Sequence, residues 1–177
     1  MFKVGDVVVY PMHGVARIIG IQVEKIGNTD QQCYILETET QTPSKPVIKL
    51  PIERAQANGV RRIVAEAEVV KVIEILKDRD SKTSAQTWNR RHREYQEKMR
   101  SGSIYQAAEV YRDLRLLKTN KDLSHGEQRL YDQAKNLVIK ELAIAQRIEE
   151  KEIEQTIAEI FRQAGVNTEE ENEEEDA

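Results

Sequence analysis

The sequence predicts an α+β protein: a small bent β-sheet or barrel module of about five strands, then an all-α helical bundle, then a disordered acidic tail. Three observations predict it. Short apolar runs punctuated by Gly and Pro occupy residues 1 to about 62. From Ala65 onward the apolar spacing changes from that of strands to that of helices. Residues 168 to 177 carry seven carboxylates and no apolar side chain larger than alanine, a composition that cannot bury enough surface to order itself.

The β part comes first. Val4 and Val7 to Tyr10 form an apolar run around the turn residues Gly5 and Asp6, and Gly14 to Ile21 form a second run beyond Pro11-Met12-His13. These predict two strands joined by a tight loop. Gly20 falls where a small barrel needs a bend or bulge, and Gly27-Asn28 ends the second strand with residues that tolerate positive φ. Cys33 to Glu39 is a third strand, residues 42 to 46 a loop, and Val47 to Pro51 a fourth strand. Proline on both sides of that fourth strand places it at a sheet edge, because proline donates no ladder hydrogen bond.

The helical part follows. Val69, Val70, Val72, Ile73, Ile75 and Leu76 alternate with charge at helical spacing, and the polar stretch from Asp78 to Gln86 reads as a linker or hinge. Further helices are expected over about 87–100, 104–118, 125–147 and 149–163. Ser101-Gly102-Ser103 closes one helix and caps the next. Ser124 followed three residues later by Glu127 has the spacing of a capping box. Leu130, Ala134, Leu137, Val138, Leu142 and Ala145 form one apolar stripe, and Ile104, Ala107, Ala108, Tyr111, Leu114 and Leu117 form another; each needs the other to be buried. The expected organisation is a β module over 1–64, a connecting helix and linker over 65–86, a helical domain over 87–164 and the tail over 165–177.

Composition narrows the function classes. With 39% hydrophobic and only 5% aromatic residues among 177, two modest cores are expected rather than one large one. The opening residues lack a basic-then-apolar signal pattern and no run approaches the roughly 18 apolar residues of a membrane span, so a cytoplasmic protein is expected. The lone Cys33 lies in an alternating apolar run and is expected to be a small buried hydrophobe. His92 and His125 have no ligand partners at metal spacing and are read as surface residues; His13, in a loop, is expected to make a structural hydrogen bond. Three histidines and one cysteine assemble no catalytic set, and no Gly-rich phosphate loop occurs, so neither an enzyme, a cofactor nor a small-molecule substrate is expected.

Charge is more informative by segment than as the total of −4. Residues 1–81 hold 11 basic and 11 acidic side chains, residues 82–147 hold 14 and 8, and residues 148–177 hold 2 and 12. A basic helical module therefore precedes an acidic end, and the local field decides what the module attracts. Its most informative run is Thr87-Trp88-Asn89-Arg90-Arg91-His92-Arg93, at the expected first turn of a helix. Cations there neutralise phosphates while the flat ring packs on a base or sugar. Burial is the default for a tryptophan and solvation the default for a charge run, but the polar neighbours Arg91 and His92 on the ring's own face pull against burial and leave the two readings evenly balanced on the residues alone.

Several motifs carry a resemblance. Lys3-Val4-Gly5-Asp6, Val8-Val9-Tyr10-Pro11, His13-Gly14, Lys49-Leu50-Pro51, Trp88-Asn89-Arg90-Arg91, Ala108-Glu109-Val110, Arg112-Asp113-Leu114, Leu123-Ser124, Gly126-Glu127 and Lys140-Glu141-Leu142-Ala143 resemble, in order over residues 2 to 147, the CarD/CdnL family of bacterial transcription regulators. The resemblance implies a Tudor-like N-terminal module, shared with transcription-repair coupling factor, that docks on the RNA polymerase β subunit. It further implies a helical module that contacts promoter DNA at the upstream fork of the bubble and stabilises the open complex without sequence-specific base readout. Trp88 matches the minor-groove wedge, and Arg90, Arg91 and Arg93 match the DNA-contacting basic positions. Lys49 and Pro51 match the polymerase-facing strand, with Ile48 and Leu50 beside them as expected polymerase-binding neighbours. The implied protein is a monomer, associated with the nucleoid through polymerase, with no cofactor and no membrane partner. Two positions depart from the pattern: Glu24 stands where some relatives carry a basic residue, and the loop from Thr40 to Pro46 is longer and richer in proline. The alternative from a different class is a protein-interaction adaptor in which Trp88 anchors a protein interface.

Overall fold

The structure is a computed structural model that describes residues 1–39, 45–80 and 87–165. The chain divides into two compact units, Met1–Ile63 with Arg100–Gly102, and Val64–Met99 with the residues from Ser103 onward. The expected loop residues 40–44, the later part of the expected linker at 81–86, and the acidic tail beyond 165 lie outside the described residues.

The first unit is a five-stranded antiparallel sheet in the order β4-β3-β2-β1-β5, built from β1 (Val7–Tyr10), β2 (Gly14–Ile26), β3 (Thr29–Thr38), β4 (Val47–Pro51) and β5 (Arg61–Arg62). Val4, expected in the first strand, is exposed ahead of β1. Strand alternation sends Val8, Ala16, Ile18, Tyr34, Leu36 and Leu50 to one side, where Ala55 and Val60 complete the core. Register follows from that pattern: Val8 pairs with Ala16, Ile18 with Leu36, and Tyr34 with Leu50. The β2–β3 register shifts between Ile18 and Gly20, which is the expected bulge, and Gly27 turns the chain at φ 64°. Cys33 is fully buried and free. Two short elements were not legible in the sequence: helix α1 (Ile52–Ala55), which follows β4 directly, and β5, which pairs with β1 through only two residues.

The second unit is helical, with α2 (Val69–Lys77), α3 (Trp88–Arg100), α4 (Ile104–Lys118), α5 (His125–Gln146) and α6 (Glu150–Gln163). The bounds agree with the sequence periodicity to within one or two residues. For α4 and α5 the reason is the strength of the caps. Ser103 accepts the Gln106 amide at the start of α4, the Ser124–Glu127 capping box opens α5, and Arg147 ends α5 in the left-handed region. Helix α4 packs on α2 and α5, and α6 packs on α5 and α2. Tyr111, Leu114, Leu142, Ile157 and Phe161 are all buried at the centre. The helix expected as a mere connection, α2, buries Val69, Val72 and Leu76. The stretch read as linker is anchored at its start: the Arg79 guanidinium lies 4.8 Å from the Phe161 ring centre, and Asp78 receives Arg112 at 3.3 Å.

Candidate nucleic-acid interface

Helix α3 decides what Trp88 can do. Its buried stripe is Arg91, Tyr95 and Met99, each one turn from the next. Trp88 is the next position along the same stripe, at the first residue of the helix. A ring in the interior of that stripe would be enclosed; at the end of the helix it runs out of neighbours, and Trp88 is 43% exposed. The part that is covered has three specific contacts. The indole stacks on His92, with ring centres 5.1 Å apart and planes 12° from parallel. Its Nε1 donates to Ser124 Oγ at 3.3 Å. Beneath both rings lies Gly126, where an added Cβ would stand 3.1 Å from His92 Cε1 and 3.8 Å from Trp88 Cζ2. Glycine is needed there for close approach rather than for backbone freedom.

The three arginines of the run take different positions. Arg90 and Arg93 are exposed and stand on the outward side of α3, about 140° to 200° around the helix from Trp88 at ~100° per residue. Arg90 is bonded to Glu94 one turn on, at 3.3 Å, and Arg93 has no ion-pair partner among the described residues. Arg91 instead points inward, is only 8% exposed, and donates to Glu127 Oε1 at 2.9 Å. Its guanidinium is committed inside the bundle, whereas those of Arg90 and Arg93 face solvent.

Glu127 is the hub of that interior. It is 1% exposed, its Oε1 takes Arg91, and its Oε2 takes the Ser124 backbone amide at 2.9 Å and lies 3.5 Å from Lys121 Nζ. Burial alone would raise its pKa, but the donors from Ser124 and Arg91, with the Lys121 charge, outweigh it and hold the carboxyl below its ordinary value. The Arg91 Nε, His92 Nδ1 and Tyr95 hydroxyl are buried without hydrogen-bond partners among the described residues. Burial first, and then the Asp113 carboxylate, push the Tyr95 phenol well above its usual range, so it stays neutral. The sequence reading identified Ser124 and Glu127 as helix punctuation and missed them as neighbours of Trp88; it read His92 as a plain surface residue.

In the first unit, β4 is an edge strand, with one side of its backbone bonded to β3. Of the residues expected to meet a partner, Lys49 is exposed, Ile48 is half-buried against the core, and Leu50 and Pro51 are buried. Leu50 and Pro51 can therefore meet a partner through their backbone alone. Lys49 Nζ is held by Glu24 Oε1 at 2.7 Å. His13 is exposed with its ring centre 4.5 Å from that of Tyr10, and among the described residues its side chain makes no hydrogen bond of the expected kind. Among the described residues no helix is long and apolar enough to cross a membrane, and no group of three or more His, Cys, Asp or Glu side chains is placed to hold a metal ion.

Comparison with known proteins gives two matches in chain order. Residues 2–64 match the CarD-like/TRCF RID domain, and residues 71–158 match the CarD C-terminal domain. The chain is similar to the Bacillus subtilis (strain 168) protein YdeB, named as a candidate transcription factor, with 29% identity over 153 residues, covering 86% of this chain and 97% of YdeB.

Proposed function

Since the chain carries both CarD domains in order and belongs to the CarD family of non-enzymatic transcription regulators, we propose that it holds RNA polymerase with its β module and the upstream fork of the promoter bubble with its helical module, so stabilising the open complex at the nucleoid. The N-terminal domain type implies a polymerase contact in general terms. The finer reading assigns that contact to the β subunit and to the β4 edge, where main-chain pairing supplies affinity and the Lys49 side chain supplies specificity. Trp88 serves as the wedge, with Arg90 and Arg93 as phosphate clamps.

The observation that carries the reading is the half-exposed indole at the free end of α3 in a basic helical segment. A protein that binds only the separated strands lowers the free energy of the open state by its differential affinity. The wedge has no polar group to spare for reading bases, since its single N–H is already bonded to Ser124. That favours recognition of the fork's shape over its sequence.

The test is binding of the full chain to forked and to fully paired DNA of the same sequence. Fork binding should be tighter and should weaken about 10-fold between 50 and 200 mM salt, as roughly two phosphate contacts require. Equal affinity for both DNAs would refute the wedge, and salt-insensitive binding would favour the adaptor reading. Because the isolated DNA contact is weak, tethering through polymerase supplies an effective concentration near the millimolar scale.

A further inference from the structure

The contacts around Trp88 form a closed circuit that runs through the start of α5. Ser124 Oγ accepts the indole N–H at 3.3 Å and the Glu127 amide at 3.3 Å, which uses both of its lone pairs. Glu127 returns a bond to the Ser124 amide and takes the buried Arg91 guanidinium from one turn further along α3. Two helix starts are thus locked together, with the ring seated between His92 and Gly126.

Resting on the wedge reading above, we infer that Ser124, Glu127 and Arg91 are positioning residues: they set the orientation of the Trp88 ring before DNA arrives, and Arg91 contacts no phosphate. A long-range pair of charges buried at this depth is costly to desolvate and gains little as mere surface solvation. Its effect here is geometric. An indole held in one orientation loses less freedom when it enters the fork than one that swings freely.

Trp88 is the sole tryptophan of the chain, so its fluorescence reports the wedge alone. The experiment measures acrylamide quenching of the free protein, and the affinity and salt slope of its binding to forked DNA. The variants are Ser124→Gly, Ser124→Thr, Arg91→Gln, Arg93→Gln and Trp88→Ala. Glycine is tolerated at a helix start, so Ser124→Gly removes the indole acceptor while leaving α5 formed. It should raise quenching and weaken fork binding about 5-fold, the worth of one hydrogen bond, at unchanged salt slope; Ser124→Thr should restore both. Arg91→Gln should weaken binding with the slope intact, whereas Arg93→Gln should reduce the slope by about 0.9. A slope change in Arg91→Gln equal to that in Arg93→Gln would overturn the inference, as would Ser124→Gly with quenching and affinity like wild type. Should Trp88→Ala bind the fork as wild type does, the wedge reading itself fails, and a quenching change in Ser124→Gly would still identify the seat.

Discussion

Replacing Trp88 by alanine isolates the wedge. A tryptophan buries at most about 250 Å², and 43% of this residue's surface is open to solvent, so about 100 Å² remains for the fork to cover. At ~25 cal/mol per Å² that area is worth at most ~2.5 kcal/mol. Separated strands enclose only part of the ring, and alanine keeps some contact, so about 1–2 kcal/mol is expected, in line with stacking of a base on an aromatic side chain. Because the wedge binds the open state and not the closed one, the loss falls on open-complex decay. Lifetime on a linear promoter fragment, measured by competitor challenge with saturating protein, should shorten roughly 5- to 30-fold, since each ~1.4 kcal/mol is a factor of ten. The covered part of the ring stacks on His92, bonds to Ser124 and lies beside Gly126 at the first residue of α3, away from the bundle centre, so the fold should persist, as circular dichroism would report. Polymerase binding should be unchanged. A variant that is folded and polymerase-bound yet gives the wild-type lifetime would refute the reasoning.

Other perturbations separate the two contacts. Lys49→Glu places an acid on the exposed edge of β4 beside Glu24, and should weaken polymerase binding while leaving fork-DNA affinity of the free protein intact; titration against core polymerase measures the first. Glu24→Gln should act oppositely, by up to about 5-fold, because it frees Lys49 from an exposed ion pair of the kind usually worth no more than ~1 kcal/mol. Glu127→Gln should lower stability at neutral pH by roughly 2–3 kcal/mol, since the buried Arg91 loses its counter-charge. Glu127 has its folded-state value depressed below 4.5, so its contribution is present above that pH and is lost as pH falls through the folded value. Thermal melts should therefore show the gap between wild type and Glu127→Gln closing below about pH 4.5; a gap that widens on acidification would be the wrong sign. Deleting residues 165–177 should tighten fork binding at low salt if the acidic segment competes with phosphate, and unchanged affinity would discard that competition.

Much of the fold was legible because its signals are local. The helices of the second unit announce themselves through period and caps, and the bulge at Gly20 and the edge position of β4 through Gly and Pro. The elements that were missed lack such signals. Helix α1 is a single turn whose start at Pro51 carries no capping side chain, and β5 is a pair of arginines, Arg61 and Arg62, that exists as a strand only because β1 offers it an edge. Pairing partners distant in sequence made it, and no window around residue 61 contains them. Asp78 and Arg79 read as linker for a related reason: their polarity was visible, but not the Arg112 and Phe161 side chains that hold them.

The site divides in the same way. That Trp88 should reach solvent followed from the family resemblance, since its polar neighbours alone left burial and exposure evenly balanced; the sequence also treated Arg90, Arg91 and Arg93 as equivalent, and they are not. On a helix whose stripe is Trp88, Arg91, Tyr95 and Met99, Arg91 is the one of the three arginines that faces the bundle, and a charge on that face requires a buried counter-charge. The counter-charge was in view as the third residue of the α5 capping box. A capping-box glutamate ordinarily closes its loop with one amide and leaves the rest of its carboxylate to water; Glu127 is almost wholly enclosed, so its second oxygen needed a donor from elsewhere. Arg91 is that donor. An arginine on the apolar stripe of one helix, and a capping glutamate opening another, are each weak signals. Each leaves an unmet electrostatic demand that the other satisfies, and the tryptophan one turn before the arginine is then held where the two helix starts converge.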